Sequence, residues 1–95
     1  MNSIEQSELE TLFKFGANVT IVDVRKKPAL EKKPAMIQGA VWQDFQNVPA
    51  WADSVKSSTT VVCYCVHGHE VSQSAVANLR KAGINAYYLR SGMQQ

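Results

Sequence analysis

Hydrophobic and polar positions along the chain fall into short blocks of two kinds. V-T-I-V-D-V at Val19 to Val24 and T-V-V-C-Y-C at Thr60 to Cys65 are β-branched and almost continuously apolar, the pattern of strands buried on both faces. A-Y-Y-L at Ala86 to Leu89 predicts a third strand. Elsewhere apolar residues recur at helical spacing. Leu9, Leu12 and Phe13 share one helix face, with Ser7 and Glu10 in a capping-box arrangement ahead of it and Gly16 at its end. Ala75, Val76 and Leu79 give a helix over Ser72 to Ala82 an apolar face, and Gly83 is its natural stop. The stretch Ile37 to Trp42 reads as a short strand, and Pro49 to Val55 as a short helix that carries Trp51 inward. From Lys26 to Pro34, K-K-P-A-L-E-K-K-P holds two prolines and four lysines and reads as a solvated loop. Trp42, Phe45 and Trp51 are expected to fill volume between elements, and Tyr87 and Tyr88 alternate so that only one faces inward. Strands alternating with helices predict an α/β fold, three layers with a mainly parallel central sheet flanked by helices.

Composition narrows the setting. Ninety-five residues, 45% of them hydrophobic, suit a single domain over residues 1–95. The net charge of +2 is mild and the lysines cluster in one loop, so no nucleic-acid partner is expected. No apolar run approaches the length that crosses a bilayer, and residues 1–10 are polar and acidic, unlike a signal peptide. The expectation is a cytoplasmic protein with no membrane partner. Cys63 and Cys65 are separated by one residue, too close for an unstrained disulfide, and read as thiols.

The chemistry gathers in C-V-H-G-H-E-V-S, Cys65 to Ser72, which joins a strand end to a helix start. In parallel sheets ligands collect beyond the carboxyl ends of the strands. Gly68 allows a conformation in which successive amides converge on one spot, and the following helix start adds partial positive charge. Such a setting stabilises a thiolate and makes Cys65 both nucleophile and leaving group, as a persulfide carrier requires. Cys63 reads as a small buried thiol. Cys63, Cys65, His67 and His69 together have metal-ligand chemistry, but alternate positions spread along a face and match no usual zinc spacing, so no metal is expected. His67 or His69 instead reaches an anion or an acceptor. Glu70 reads as a helix-start charge, with general base as the sharper alternative. Ser72 and Ser74 cap or solvate the helix start. Asp23 is expected to accept hydrogen bonds that fix a loop, and Arg25 either pairs with an acid or faces substrate.

These fragments, taken in order, resemble the rhodanese homology domain: V-D-V-R at Val22 to Arg25, I-Q-G-A at Ile37 to Ala40, V-V-C-Y-C at Val61 to Cys65, the loop with Gly68, L-R-K-A-G at Leu79 to Gly83, and Y-L-R-S-G at Tyr88 to Gly92. The resemblance implies the rhodanese-like three-layer fold, a persulfide-forming Cys65, a substrate loop from Val66 through His67, Gly68, His69 and Glu70 to Val71, and a framework role for Asp23. It implies no metal or organic cofactor. The partners implied are a small-molecule sulfur donor such as thiosulfate or a persulfide and a thiol or cyanide acceptor, with a protein acceptor as the alternative. The chain departs from the family at three places. Glu70 and Val71 stand where a small hydroxyl residue and often an arginine are common. The loop from Cys65 to Val71 has seven residues where six are usual, a length resembling cell-cycle phosphatases and arsenate reductases of this fold. Ser91 replaces a frequent glycine, and the chain reaches Gln95 before the usual closing helix, so a truncated domain is expected.

Three functions are consistent with these residues. The first is sulfane-sulfur transfer through Cys65. The second is a noncatalytic binding or redox-sensing module. A cysteine-dependent phosphatase or arsenate reductase ranks last, because the loop lacks the arginine that would grip an oxyanion bidentately.

Overall fold

In the computed structural model, which describes residues 2–16, 18–58, 60–66, 70–90 and 92, five parallel strands form one sheet in the order β1-β5-β4-β2-β3. The strands are β1 (Ser3–Ile4), β2 (Val19–Asp23), β3 (Val41–Trp42), β4 (Thr60–Tyr64) and β5 (Ala86–Leu89). The helices are α1 (Gln6–Lys14), α2 (Lys27–Lys32), α3 (Val48–Val55), entered from a 3-10 turn at Phe45–Asn47, and α4 (Glu70–Lys81). Among the described residues no helix is long and apolar enough to cross a membrane.

The sheet is covered on both faces, which is why β2 and β4 read as continuous apolar runs. Alternation along them feeds two cores. Val22, Val61 and Cys63 pack toward α3 and α4 with Trp51, Val76 and Leu79. Ile21, Val62 and Tyr64 pack toward α1 with Leu9 and Leu89. Tyr88 joins the first core and Tyr87 the second. Both tyrosines therefore pack inward, against the expectation that one would face solvent, because this sheet has no wet face.

Three local expectations change. The capping box of α1 lies two residues earlier, where Glu8 Oε1 accepts from Glu5 N–H at 2.8 Å, so Ser7 and Glu10 lie inside the helix. The basic segment after β2 is not wholly loop: α2 forms with Pro28 in its first turn, where a missing N–H costs nothing, and ends before Pro34. A two-residue edge strand, β1, precedes α1 and pairs with β5, Ser3 opposite Tyr88. Gly16 (φ 70°) and Gly83 (φ 82°) stop α1 and α4 in the left-handed region, as read from the sequence.

Candidate functional site

β2 and β4 run in register, Asp23 opposite Tyr64, so Arg25 and Cys65 follow at the same carboxyl end of the sheet. The β2 end is tied down by charge. Arg25 is 1% exposed and Asp23 wholly buried. Asp23 accepts from Arg25 Nε at 2.9 Å, Arg25 Nη2 at 2.7 Å, the Arg25 backbone N–H at 3.0 Å and the Tyr64 hydroxyl at 3.0 Å. Arg25 also donates to the carbonyls of Lys33 (2.7 Å) and Ala35 (3.1 Å), while Tyr64 Oη accepts from Ile37 N–H at 3.0 Å. Hydrogen bonding to Asp23 raises the Arg25 pKa against the opposing effect of burial. Burial is the main cause that pushes Tyr64 up to about 12. Asp23 thus accepts hydrogen bonds from two elements, and the Arg25 guanidinium donates to Asp23 and to two carbonyls.

Cys65 follows β4 directly and is 6% exposed. Its thiol donates to Ser72 Oγ at 3.2 Å. Ser72 is fully buried in the first turn of α4, so the sulfur lies against the start of a 12-residue helix, where the backbone dipole favours negative charge. Cys63, two residues earlier and wholly buried, differs sharply. Burial, with a smaller effect from Cys65, pushes its thiol from 9.0 up to about 12, which keeps it protonated and inert.

A cavity of about 300 Å³ opens at Cys65 and is bordered by Val66, Glu70, Val71, Arg25, Lys26 and Ala29. Thus Cys65, Val66, Glu70, Val71 and Arg25 are brought together around one space. His67, Gly68, His69 and Ser91 lie outside the described residues. Among the described residues no cluster of three metal-ligating side chains occurs.

The sequence reading missed two contacts at Cys65. Ser72 read as a cap but meets the sulfur, and its only signal was its place in the first helical turn after the loop. Gly92 (φ 65°) packs so closely that a Cβ there would fall on the carbonyl oxygens of Cys65 and Val66. Its signal was the glycine of Y-L-R-S-G, 27 positions downstream of Cys65.

Comparison with known proteins gives a consistent picture. The family model of the rhodanese-like domain matches residues 5–95. A rhodanese-like domain protein from Staphylococcus aureus is 29% identical with a TM-score of 0.80, covering 98% of this chain and 88% of that one. A protein from Staphylococcus saprophyticus subsp. saprophyticus is also 29% identical, with a TM-score of 0.79 over 98% of this chain and 90% of that one. A protein of unknown function from Rhodopseudomonas palustris, described as a possible tyrosine phosphatase, shares the fold at 20% identity, with a TM-score of 0.81 over 97% and 76% of the two chains. No curated protein matches in sequence.

Proposed function

Because the chain belongs to the rhodanese-like domain family, we propose that it is a sulfurtransferase that carries sulfane sulfur as a persulfide on Cys65. The observation that carries this reading is the Cys65 thiol at 3.2 Å from the buried Ser72 hydroxyl in the first turn of α4, facing a cavity of about 300 Å³. In the thiol state the S–H donates to Ser72. When the proton leaves, the Ser72 O–H rotates to donate to the sulfur, so one hydroxyl serves both states. The thiolate attacks the outer sulfur of the donor. The donor's sulfur–sulfur bond breaks, sulfite leaves from thiosulfate or a thiolate from a persulfide, and Cys65–S–S⁻ remains. An acceptor thiolate or cyanide then attacks the outer sulfur, and the electron pair of the broken bond returns to Cys65 Sγ. The loop from Val66 to Val71 holds the outer sulfur during its stay. No metal or organic cofactor takes part in this scheme.

Glu70 and Val71 bias the donor. An acid and an aliphatic wall beside Cys65 suit a soft, weakly solvated sulfur better than a doubly charged oxyanion. Phosphatase or arsenate chemistry finds no support at the cavity. The one arginine that borders it is committed to Asp23.

The test is the intact mass of the reduced protein after incubation with thiosulfate or an alkyl persulfide, followed by cyanide. One added sulfur that leaves to cyanide is expected in the parent, with none in Cys65→Ser. No adduct from any donor would return the chain to the binding or redox-sensing class.

A further inference from the structure

The lysines after β2 have a more particular setting than a solvated loop. Lys26 and Lys27 border a second cavity of about 390 Å³, with Trp42 and Phe45 among its walls. Lys26 Nζ lies 5.9 Å from the centroid of the Phe45 ring, and Lys27 Nζ lies 5.7 Å from that of Trp42. Aromatic faces attract exposed ammonium groups only weakly, so both cations can move to a better partner. Among the described residues neither lysine is paired with a carboxylate. The acid at this cavity, Asp44, accepts from Gln46 N–H at 3.0 Å as the cap of the 3-10 turn. Trp42 is fixed, because its Nε1–H donates to the Arg25 carbonyl at 2.8 Å. The cavity therefore combines a rigid aromatic wall with two uncommitted cations.

Its position gives these features a use. Arg25 and Lys26 border both this cavity and the one at Cys65, so the two spaces share a wall. Arg25 is neutralised by Asp23, which leaves Lys26 as the cationic group of the shared wall, with Lys27 beside it on the second cavity. A ligand that uses both spaces carries its negative charge and its reacting sulfur several bonds apart, farther than in thiosulfate.

We propose that this cavity is the acceptor subsite and that the acceptor is a low-molecular-weight thiol bearing carboxylates. This proposal rests on the sulfur-transfer reading. The carboxylates take Lys26 and Lys27 from their aromatic partners, and the carbon skeleton lies against Trp42 and Phe45. The acceptor thiolate attacks the outer sulfur of the Cys65 persulfide. A sulfur–sulfur bond forms to the acceptor as the Sγ–S bond breaks. The electron pair returns to Cys65, and no outside oxidant or reductant is consumed.

The experiment has two arms. In the first, sulfur transfer from preformed Cys65 persulfide is followed with mercaptosuccinate and with uncharged 2-mercaptoethanol, in the parent and in the double variant Lys26→Gln, Lys27→Gln. The variant is expected to raise KM for mercaptosuccinate about five- to tenfold more than it raises KM for 2-mercaptoethanol. In the second, succinate is titrated while tryptophan fluorescence is read. The expected change is absent from the double variant and from Trp42→Phe. Equal effects on charged and uncharged thiols, or a succinate response that survives in the double variant, overturn the subsite. A persulfide that forms normally without succinate binding removes the subsite alone. Succinate binding with no persulfide from any donor removes the acceptor role and the sulfur-transfer reading together.

Discussion

Two adjacent strands end side by side in this fold, and their ends are chemically opposite. At the end of β2 the charges meet partners at hydrogen-bond distance: Asp23 takes donors from Arg25 and Tyr64, and Arg25 gives its remaining contacts to carbonyls. At the end of β4, among the described residues, the Cys65 thiol meets one neutral hydroxyl. The first end is built from groups that keep their protonation state, with Arg25 and Tyr64 both raised. The second pairs a thiol with a hydroxyl that can donate or accept. The proposed sulfur transfer would use the second kind of contact, while the first holds the neighbouring wall still. One arginine cannot serve both, which is why V-D-V-R does not supply the missing loop arginine.

The comparison breaks most visibly at Asp23 and Arg25. Removing one member of a buried ion pair costs about 3–5 kcal/mol, a large part of the ~5–15 kcal/mol of a typical domain. Arg25→Ala is expected to lower the urea midpoint by the corresponding amount, and Arg25→Lys to rescue little, because an ammonium cannot reproduce the forked contacts. Full stability in Arg25→Ala with lost sulfur transfer would instead make Arg25 a substrate group.

Alkaline pH sharpens the difference between the two cysteines. Cys63 is raised from 9.0 to about 12 and Tyr64 from 10.0 to about 12, both chiefly by burial. The unfolded chain therefore loses these protons first. Stability from this source is complete below pH 9.0 and falls as pH rises toward 12, with a limiting slope of about 1.4 kcal/mol per pH unit for one group. Cys63→Ala is expected to remove the part of that decline that begins near the ordinary thiol value, read from thermal unfolding at successive pH values. In the native parent, iodoacetamide is expected to modify Cys65 and leave Cys63 untouched.

Ser72→Ala tests the hydroxyl at the β4 end. Loss of a hydrogen bond to a charged sulfur is expected to slow alkylation of Cys65 at neutral pH about tenfold, with Ser72→Thr restoring most of the rate. An unchanged rate would leave Ser72 as packing alone. The smallest effect is expected at the exposed rim, where Glu70→Arg should improve the use of thiosulfate about two- to fivefold by reversing a charge beside the sulfur. Unchanged or weaker turnover would place Glu70 away from the donor.

Legibility in the sequence followed the range of the interactions involved. β2, β4 and β5 were readable because burial on both faces leaves a local record in runs such as V-T-I-V-D-V. α4 was readable from its apolar spacing, although it starts at Glu70 and not at Ser72. β1 was not readable: two residues carry no period, and Ser3–Ile4 is a strand because β5 lies beside it, helped by the Arg90 contacts to Glu5 and Ser3. α2 was masked by its prolines, one in its first turn and one just past its end, neither of which interrupts it. At the site, Cys65 stood out by its place between strand and helix. The duty of Arg25 depended on the carbonyls of Lys33 and Ala35, brought near only by folding. The approach of Gly92 to Cys65 depends on tertiary structure in the same way.

The strand order carries a consequence for synthesis. β1 leaves the ribosome well before β5, its hydrogen-bonding neighbour, with Ile4 opposite Leu89. β4, the centre of the sheet, likewise lacks one neighbour until β5 appears. A nascent chain that has exposed everything up to α4 therefore holds unpaired edges and half-covered apolar faces. It completes its sheet only when the last strand inserts between two that are waiting for it. Cys65 is made before that moment, yet Gly92, which packs against its carbonyl, arrives afterwards, so the surroundings of Cys65 are completed by the same late event that completes the sheet.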